Sequence, residues 1–270
     1  MVAMGLLAPG ASPLSPSGGK GVNETWRGRV HLLDGSTVSA YVKLLTQRQL
    51  VNELFGAELA RAVGMPVPDA YLVRVDKIDY STMFDQRSIP GDHIMAFGSR
   101  DVGVKTLARR YQAEGMEFKR WFVSHCSRWK RVVSFDGWIA NIDRHLGNAL
   151  IGGPDELWLI DHGHSFTGPA WSADKLIPEV RVPNRLVNEL TDVITNEMRD
   201  AIAAEASDAQ RVFESAHVEG VLDASNASQL LSSAERDALV EFIEQRKTKV
   251  MELVGAAIGR PMLPLAGAAA

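Results

Sequence analysis

The chain changes periodicity near Gly98, with strand-like patterns before it and helix-like patterns after, and this division limits its fold more than any other feature. Two β-prone runs, WRGRVHLL and TVSAYVKLL, flank Asp34-Gly35, a dipeptide that accepts the positive φ angles of a tight hairpin. Residues 47–63, QRQLVNELFGAELARAV, repeat apolar side chains three and four apart and predict a helix. Gly64 stops that helix, and Pro66 and Pro68 force extended chain ahead of a strand, AYLVRV. A Pro90-Gly91 turn leads to HIMAF, a short buried strand ending at Gly98. Beyond it, helical patterns dominate, and Ser232-Ser233-Ala234-Glu235 reads as a capping box that opens one late helix. ALIGG and LWLI, around Pro154-Asp155, interrupt them as a small hairpin. Strands first and helices after predict an α+β fold in two lobes. The expected boundaries are a flexible N-terminal arm over 1–20, a β-rich lobe with one helix over 21–97, a helical lobe over 98–258 and a tail over 259–270. The arm rests on composition, since residues 5–22 hold five Gly, three Pro and three Ser.

Composition excludes several function classes. With 29 Lys+Arg against 33 Asp+Glu the net charge is −4, which argues against a generally basic nucleic-acid binder. A hydrophobic fraction of 46% supports a real core rather than chain-wide disorder. Cys126 stands alone, which excludes an intramolecular disulfide and a multi-cysteine zinc site and points to a reducing compartment. No apolar run reaches the about 20 residues that span a bilayer, and the first basic residue is Lys20, so no secretory signal is read and a cytoplasmic location is expected. The average hides two opposed segments. Residues 100–133 carry nine Lys/Arg and three Asp/Glu, while residues 189–252 carry fourteen acidic and six basic residues. Tyr111, Trp121 and Trp129 interleave the basic segment, where a solvated helix face with inward aromatics is preferred to a nucleic-acid surface.

Functional residue types concentrate between Phe135 and Phe166. Asp143 and Asn148 stand five apart, and Asp161 follows thirteen residues later, straight after LWLI. Flanking a short hairpin, the three can converge at one of its ends. Asp161 and Asn148 then supply hard oxygen ligands for Mg²⁺, and Asp143 is left to orient a hydroxyl or accept its proton. Phosphoryl transfer needs that arrangement, because the protein's task there is positioning and charge neutralisation. Lys43 alternates with apolar neighbours in AYVKLL and shares a face with Tyr41 and Leu45. Paired with Glu53 or Glu58 of the following helix, it can aim an ammonium at nucleotide phosphates. His162 and His164 form an H-x-H, better read as hydrogen-bonded loop histidines than as a metal site, since no Cys lies nearby.

AYVKLL, QLVNELFGAELARAVGMPVP, NIDRHLGN and LIDHG resemble the HipA-like kinases and, more distantly, the phosphatidylinositol 3-/4-kinases. The resemblance covers residues 20–170 and is carried by D-R-H-x-G-N followed at this interval by I-D-H-G. It implies a protein-kinase-like fold that uses ATP and Mg²⁺ to phosphorylate a hydroxyl, foremost Ser/Thr of a protein substrate. It also implies that Asp143 is the catalytic aspartate, that Asn148 and Asp161 are the metal ligands, and that Lys43 is the phosphate-binding lysine. Glu53 is preferred to Glu58 as the lysine's partner, and Phe97 and Gly98 open the hinge, continuing to Asp101, that borders the adenine. The kinase Gly-rich loop G-x-G-x-x-G is absent, and SPSGGKG does not align with the family's serine-containing loop. Ser12, Ser15 and Ser17 are therefore weak autophosphorylation candidates. No helix-turn-helix antitoxin segment is read, so a toxin role would call for a separate antitoxin-type partner, and neither membrane nor direct nucleic-acid binding is expected. A nucleotide-binding pseudokinase and a kinase for small molecules or lipid headgroups are the alternative readings.

Overall fold

The computed structural model describes residues 1–14, 24–87 and 89–260. The N-terminal region contains strands β1 (Ala3–Leu7), β2 (Ser12–Pro13), β3 (Thr25–Leu32) and β4 (Thr37–Lys43), helix α1 (Gln47–Ala62), strand β5 (Ala70–Asp76), helix α2 (Lys77–Arg87) and strand β6 (His93–Arg100). Its sheet runs β1-β5-β6-β4-β3-β2, and β1 pairs with β3 as well as β5, so five strands close on themselves. Strand alternation then sorts side chains to two faces. Leu7, Val30, Ala40, Val42, Val73 and Ala96 fill the interior, plugged by Tyr80 and Phe84 of α2. Leu72 and Phe97 face outward and pack toward α1.

Residues 1–14 correct the reading of a flexible arm. Gly and Pro composition suggests a loop, but Leu7 and Val2 are buried at 1% and 3% exposure and β1 is paired on both sides. Its partners lie more than twenty residues away in sequence, which no local pattern reports. The Val2 N–H also donates to Ala224 O at 2.8 Å, and Asn226 Nδ2 donates to Val2 O at 2.9 Å, tying the first strand to the helical region. Ser12 lies on β2, while Ser15, Ser17 and the whole SPSGGKG stretch fall outside the described residues, as do 261–270 of the expected tail.

Helix α1 starts at a capping box, Thr46 with Gln49, and is buried continuously from Gln49 to Ala60. Its apolar repeat three and four apart agrees with this burial. The helical region follows with β7 (Lys105–Thr106), α3 (Leu107–Glu114), α4 (Met116–His125), α5 (Trp129–Trp138), the hairpin β8 (Ala149–Gly153) and β9 (Glu156–Leu159), and then α6 (Arg185–Glu189), α7 (Asn196–Glu214), α8 (Val218–Ala224), α9 (Ser233–Arg246) and α10 (Val250–Ala257). Trp138 stacks on Phe213 at 4.7 Å between α5 and α7, and its indole N–H donates to Ile243 O at 3.0 Å. The basic and acidic segments meet each other: Lys119 pairs with Asp192 at 3.1 Å, and Arg131 pairs with Glu205. Among the described residues, no helix is long and apolar enough to cross a membrane.

Leu7→Ala is expected to lower unfolding stability in urea by about 2–5 kcal/mol, because it empties a filled interior. An unchanged denaturation midpoint would restore the flexible-arm reading.

Candidate active site

The alternation of β4 sends Ala40 and Val42 into the closed sheet and turns Tyr41 and Lys43 to the other face. There they border a cavity of about 1070 Å³ between the sheet and the β8–β9 hairpin. Phe97, opposite Lys43 in the β4–β6 register, lies on the same wall, and Val67, Leu150 and Leu159 extend its apolar surface. Gly98 does not line the cavity. A Cβ there would meet Val73 Cγ2 at 2.7 Å, because this position faces the sheet interior. The chain from Ser99 to Thr106 follows the cavity edge instead.

Lys43 Nζ lies 2.8 Å from Glu53 Oε1 and 3.2 Å from Asp161 Oδ1. Glu53 is fully buried, and its second oxygen accepts the His162 backbone N–H at 2.7 Å. Burial pushes the Glu53 pKa up, with Lys43 opposing it. Burial alone would lower the Lys43 pKa, but the attraction of Asp161 and Glu53 prevails and holds it above the ordinary lysine value. Burial likewise works against the Asp161 anion, yet Lys43 keeps that carboxyl below its usual range. Lys43 and Asp161 are therefore charged at neutral pH. Glu58, the alternative partner, instead pairs with Arg61 on the same helix.

Asp161 has a φ of +61°, a left-handed conformation that is uncommon outside glycine. The segment after it is pinned to α1 by Asn52, whose Nδ2 donates to the carbonyls of Gly163, Ser165 and Gly168 at 2.9, 3.0 and 3.0 Å. Its Oδ1 accepts the Trp171 indole N–H at 2.8 Å. One turn along α1, Gly56 leaves room for His162, since a Cβ there would sit 2.8 Å from His162 Cβ. The His162 ring is buried and edge-on to Phe135 at 6.1 Å, and burial, then Arg144, lowers its pKa well below the ordinary value.

Asp143 and Asn148 sit on the adjacent loop rather than in the cavity wall. Asn148 Nδ2 donates to Asp143 O at 2.9 Å, and the Asn148 carbonyl accepts the Ile160 N–H at 3.2 Å, one residue before Asp161. Arg144 braces this arrangement from behind. It is fully buried, holds Asp136 through Nε at 3.2 Å, and donates to the carbonyls of Asn148 and Ile160. Burial, only partly offset by Arg144, raises the Asp136 pKa to about 6. Helix α6 grips the loop from the front. Arg185 pairs with Asp143 Oδ1, and Glu189 Oε2 accepts the Leu146 N–H at 2.8 Å.

The donor set fits a phosphate-associated Mg²⁺. Asp161 is ionised and 39% exposed, and since the Asn148 Nδ2 is used on Asp143, its amide oxygen is the end left to accept. No cluster of three or more His, Cys, Asp or Glu suited to a metal occurs among the described residues. Two protein oxygens completed by phosphate and water suit a hard divalent ion better than a dedicated protein cage would.

The sequence profile of the HipA-like kinases matches residues 33–216, well over half of the chain, and the chain belongs to the HipA-like kinase family. No curated protein matches it. Among solved structures it is similar to the Helicobacter pylori proinflammatory kinase CtkA, at 10% identity over 86% of this chain and 94% of that one, with a TM-score of 0.48. It is also similar to CtTel1 in an open conformation and to the CtTel1 FAT and kinase domain. Both are 14% identical over 94% of this chain but only 12% and 22% of theirs, with TM-scores of 0.40 and 0.37.

Asn52→Asp preserves side-chain shape but turns a donor shared by three carbonyls into a buried acceptor. Its expected cost is about 3 kcal/mol in urea unfolding. A loss below about 0.5 kcal/mol, the size of an ordinary surface change, would contradict the pinning role.

Proposed function

We propose that this chain is a two-lobed protein kinase that transfers the γ-phosphate of ATP to a Ser/Thr hydroxyl of a protein. The observation that carries the reading is Lys43, held between Glu53 and Asp161 at the wall of the large cavity. A permanently charged ammonium in that position is suited to the α/β-phosphates, and the apolar wall of Phe97, Val67 and Leu159 is suited to the base. Asp161 and Asn148 would hold Mg²⁺, which neutralises phosphate charge. The acceptor hydroxyl oxygen attacks the γ-phosphorus, the bond from that phosphorus to the β–γ bridging oxygen breaks, and ADP departs with the bonding pair. The hydroxyl proton passes to Asp143. Because Lys43, Glu53 and Asp161 are already joined, little reorganisation is needed when the nucleotide enters. A cytoplasmic location suits the single, buried Cys126.

The test is incubation with γ-labelled ATP, Mg²⁺ and cell extract. Wild type is expected to label protein, and Asp143→Asn to label it about 10²- to 10⁴-fold more slowly while still binding Mg·ATP. Label confined to small organic phosphates would support the small-molecule alternative, and binding without any transfer would support the pseudokinase alternative.

A further inference from the structure

Asp143 does not stand free. Its Oδ1 accepts from Arg185 Nη1, and its Oδ2 lies 3.9 Å from His145 Nε2. Arg185 is well placed, since α6 is anchored at both ends. Asn184 Oδ1 caps the helix by accepting the Val187 N–H at 3.0 Å, Leu186 and Val187 are buried, and the Glu189 carbonyl accepts from Lys119 Nζ at 2.6 Å. Only the Arg185 side chain leaves this support, and it is 46% exposed beside an Asp143 that is 26% exposed. Among the described residues Asp143 is its single partner, so most of its five N–H donors are uncommitted next to the group assigned to take the acceptor's proton.

We propose that Arg185 forms an anion subsite for the phosphoacceptor, so that the preferred hydroxyl lies on a peptide with an acidic or phosphorylated side chain one or two residues away. The proposal rests on the protein-kinase reading above. A hydroxyl within hydrogen-bond reach of Asp143 is also next to Arg185. Residues along an extended peptide are spaced by about 3.3–3.8 Å, so a neighbouring anion falls within reach of the guanidinium. A carboxylate or phosphate offers Arg185 a two-pronged partner that Asp143, contacted through one oxygen, does not. When the incoming anion takes Arg185, Asp143 Oδ1 is released to the hydroxyl. An acceptor without an anion must compete with the Arg185–Asp143 pair for the same oxygen. Acceptor charge is thereby read at the reacting group itself.

The experiment uses the full chain with Mg·ATP and one serine peptide in four versions, flanked by alanine, glutamate, phosphoserine or lysine. The readout is kcat/KM for each flanked peptide relative to the alanine version, within each variant, so that overall activity cancels. Wild type is expected to favour anionic flanks by at least about fivefold, and Arg185→Lys to keep a preference. Arg185→Ala should bring the ratio near one, and Arg185→Glu should turn it toward lysine flanks, with thermal melting confirming that each variant is folded. Preference for glutamate as well as phosphoserine identifies a general anion subsite, and preference for phosphoserine alone a phosphate subsite; either supports the proposal. Transfer without flank preference in wild type, or an unchanged ratio in Arg185→Ala, overturns the subsite and leaves the kinase reading standing. Transfer to no peptide overturns the protein-kinase reading, and the subsite with it.

Discussion

The Lys43–Glu53 pair is the interaction on which the rest of the molecule depends. A fully buried carboxylate is costly, and Glu53 is tolerated only because an ammonium and the His162 N–H both face it. Each partner comes from a different part of the chain: Lys43 from the closed sheet, Glu53 from a helix buried on all sides, His162 from the segment after the β8–β9 hairpin. Glu53 therefore joins all three parts, through Lys43 on one oxygen and the His162 N–H on the other. Asn52 and Gly56 set the distance, one by bonding to the post-hairpin carbonyls and the other by allowing backbone to approach. The same docking brings Asp161 within 3.2 Å of Lys43, so a folding requirement and the proposed phosphate site coincide.

A second buried pair does for the 143–148 loop what Glu53 does for α1. Arg144 and Asp136 are both within 1% of full burial, and Arg144 Nη1 donates to the carbonyls of Asn148 and of Ile160, the residue before Asp161. Removing either partner would leave an unpaired interior charge, which is far more costly than losing a surface ion pair. Asp143 thus remains partly exposed, and Asn148 buried, while their backbone is held from below. Proposed chemistry is concentrated in groups that reach outward from a rigid, charged interior.

How much of this was legible from sequence depends on whether the signal was local. Lys43 was readable from two-residue alternation, and Asp143, Asn148 and Asp161 from their spacing around a hairpin that exists at Ala149–Leu159. The capping box at Ser232 and the helix over Gln47–Ala62 were local signals too. A motif assigns a stretch of chain and so includes Gly98, whereas the β6 pleat sends Phe97 to the cavity and Gly98 to the interior. Strand β1 leaves no local signal, because its stability comes from partners distant in sequence. Helix α2 has no continuous period, because a non-helical residue at Tyr80 breaks its pattern. Asn52 and Arg185 carry no pattern at all: an asparagine inside one helix and an arginine opening another of five residues acquire meaning only through what they touch. The opposed charge segments were visible as totals, but their pairing through Lys119–Asp192 and Arg131–Glu205 depends on helix packing.

We propose the cavity beside Lys43 as a metal-dependent nucleotide site. Isothermal titration of Mg·ATP into wild-type protein and into Lys43→Met tests it directly, with a parallel titration in EDTA. One nucleotide should bind per chain, with affinity falling at least about tenfold in the variant and falling again when the metal is removed. No binding to folded wild-type protein, or equal affinity in Lys43→Met, would contradict it.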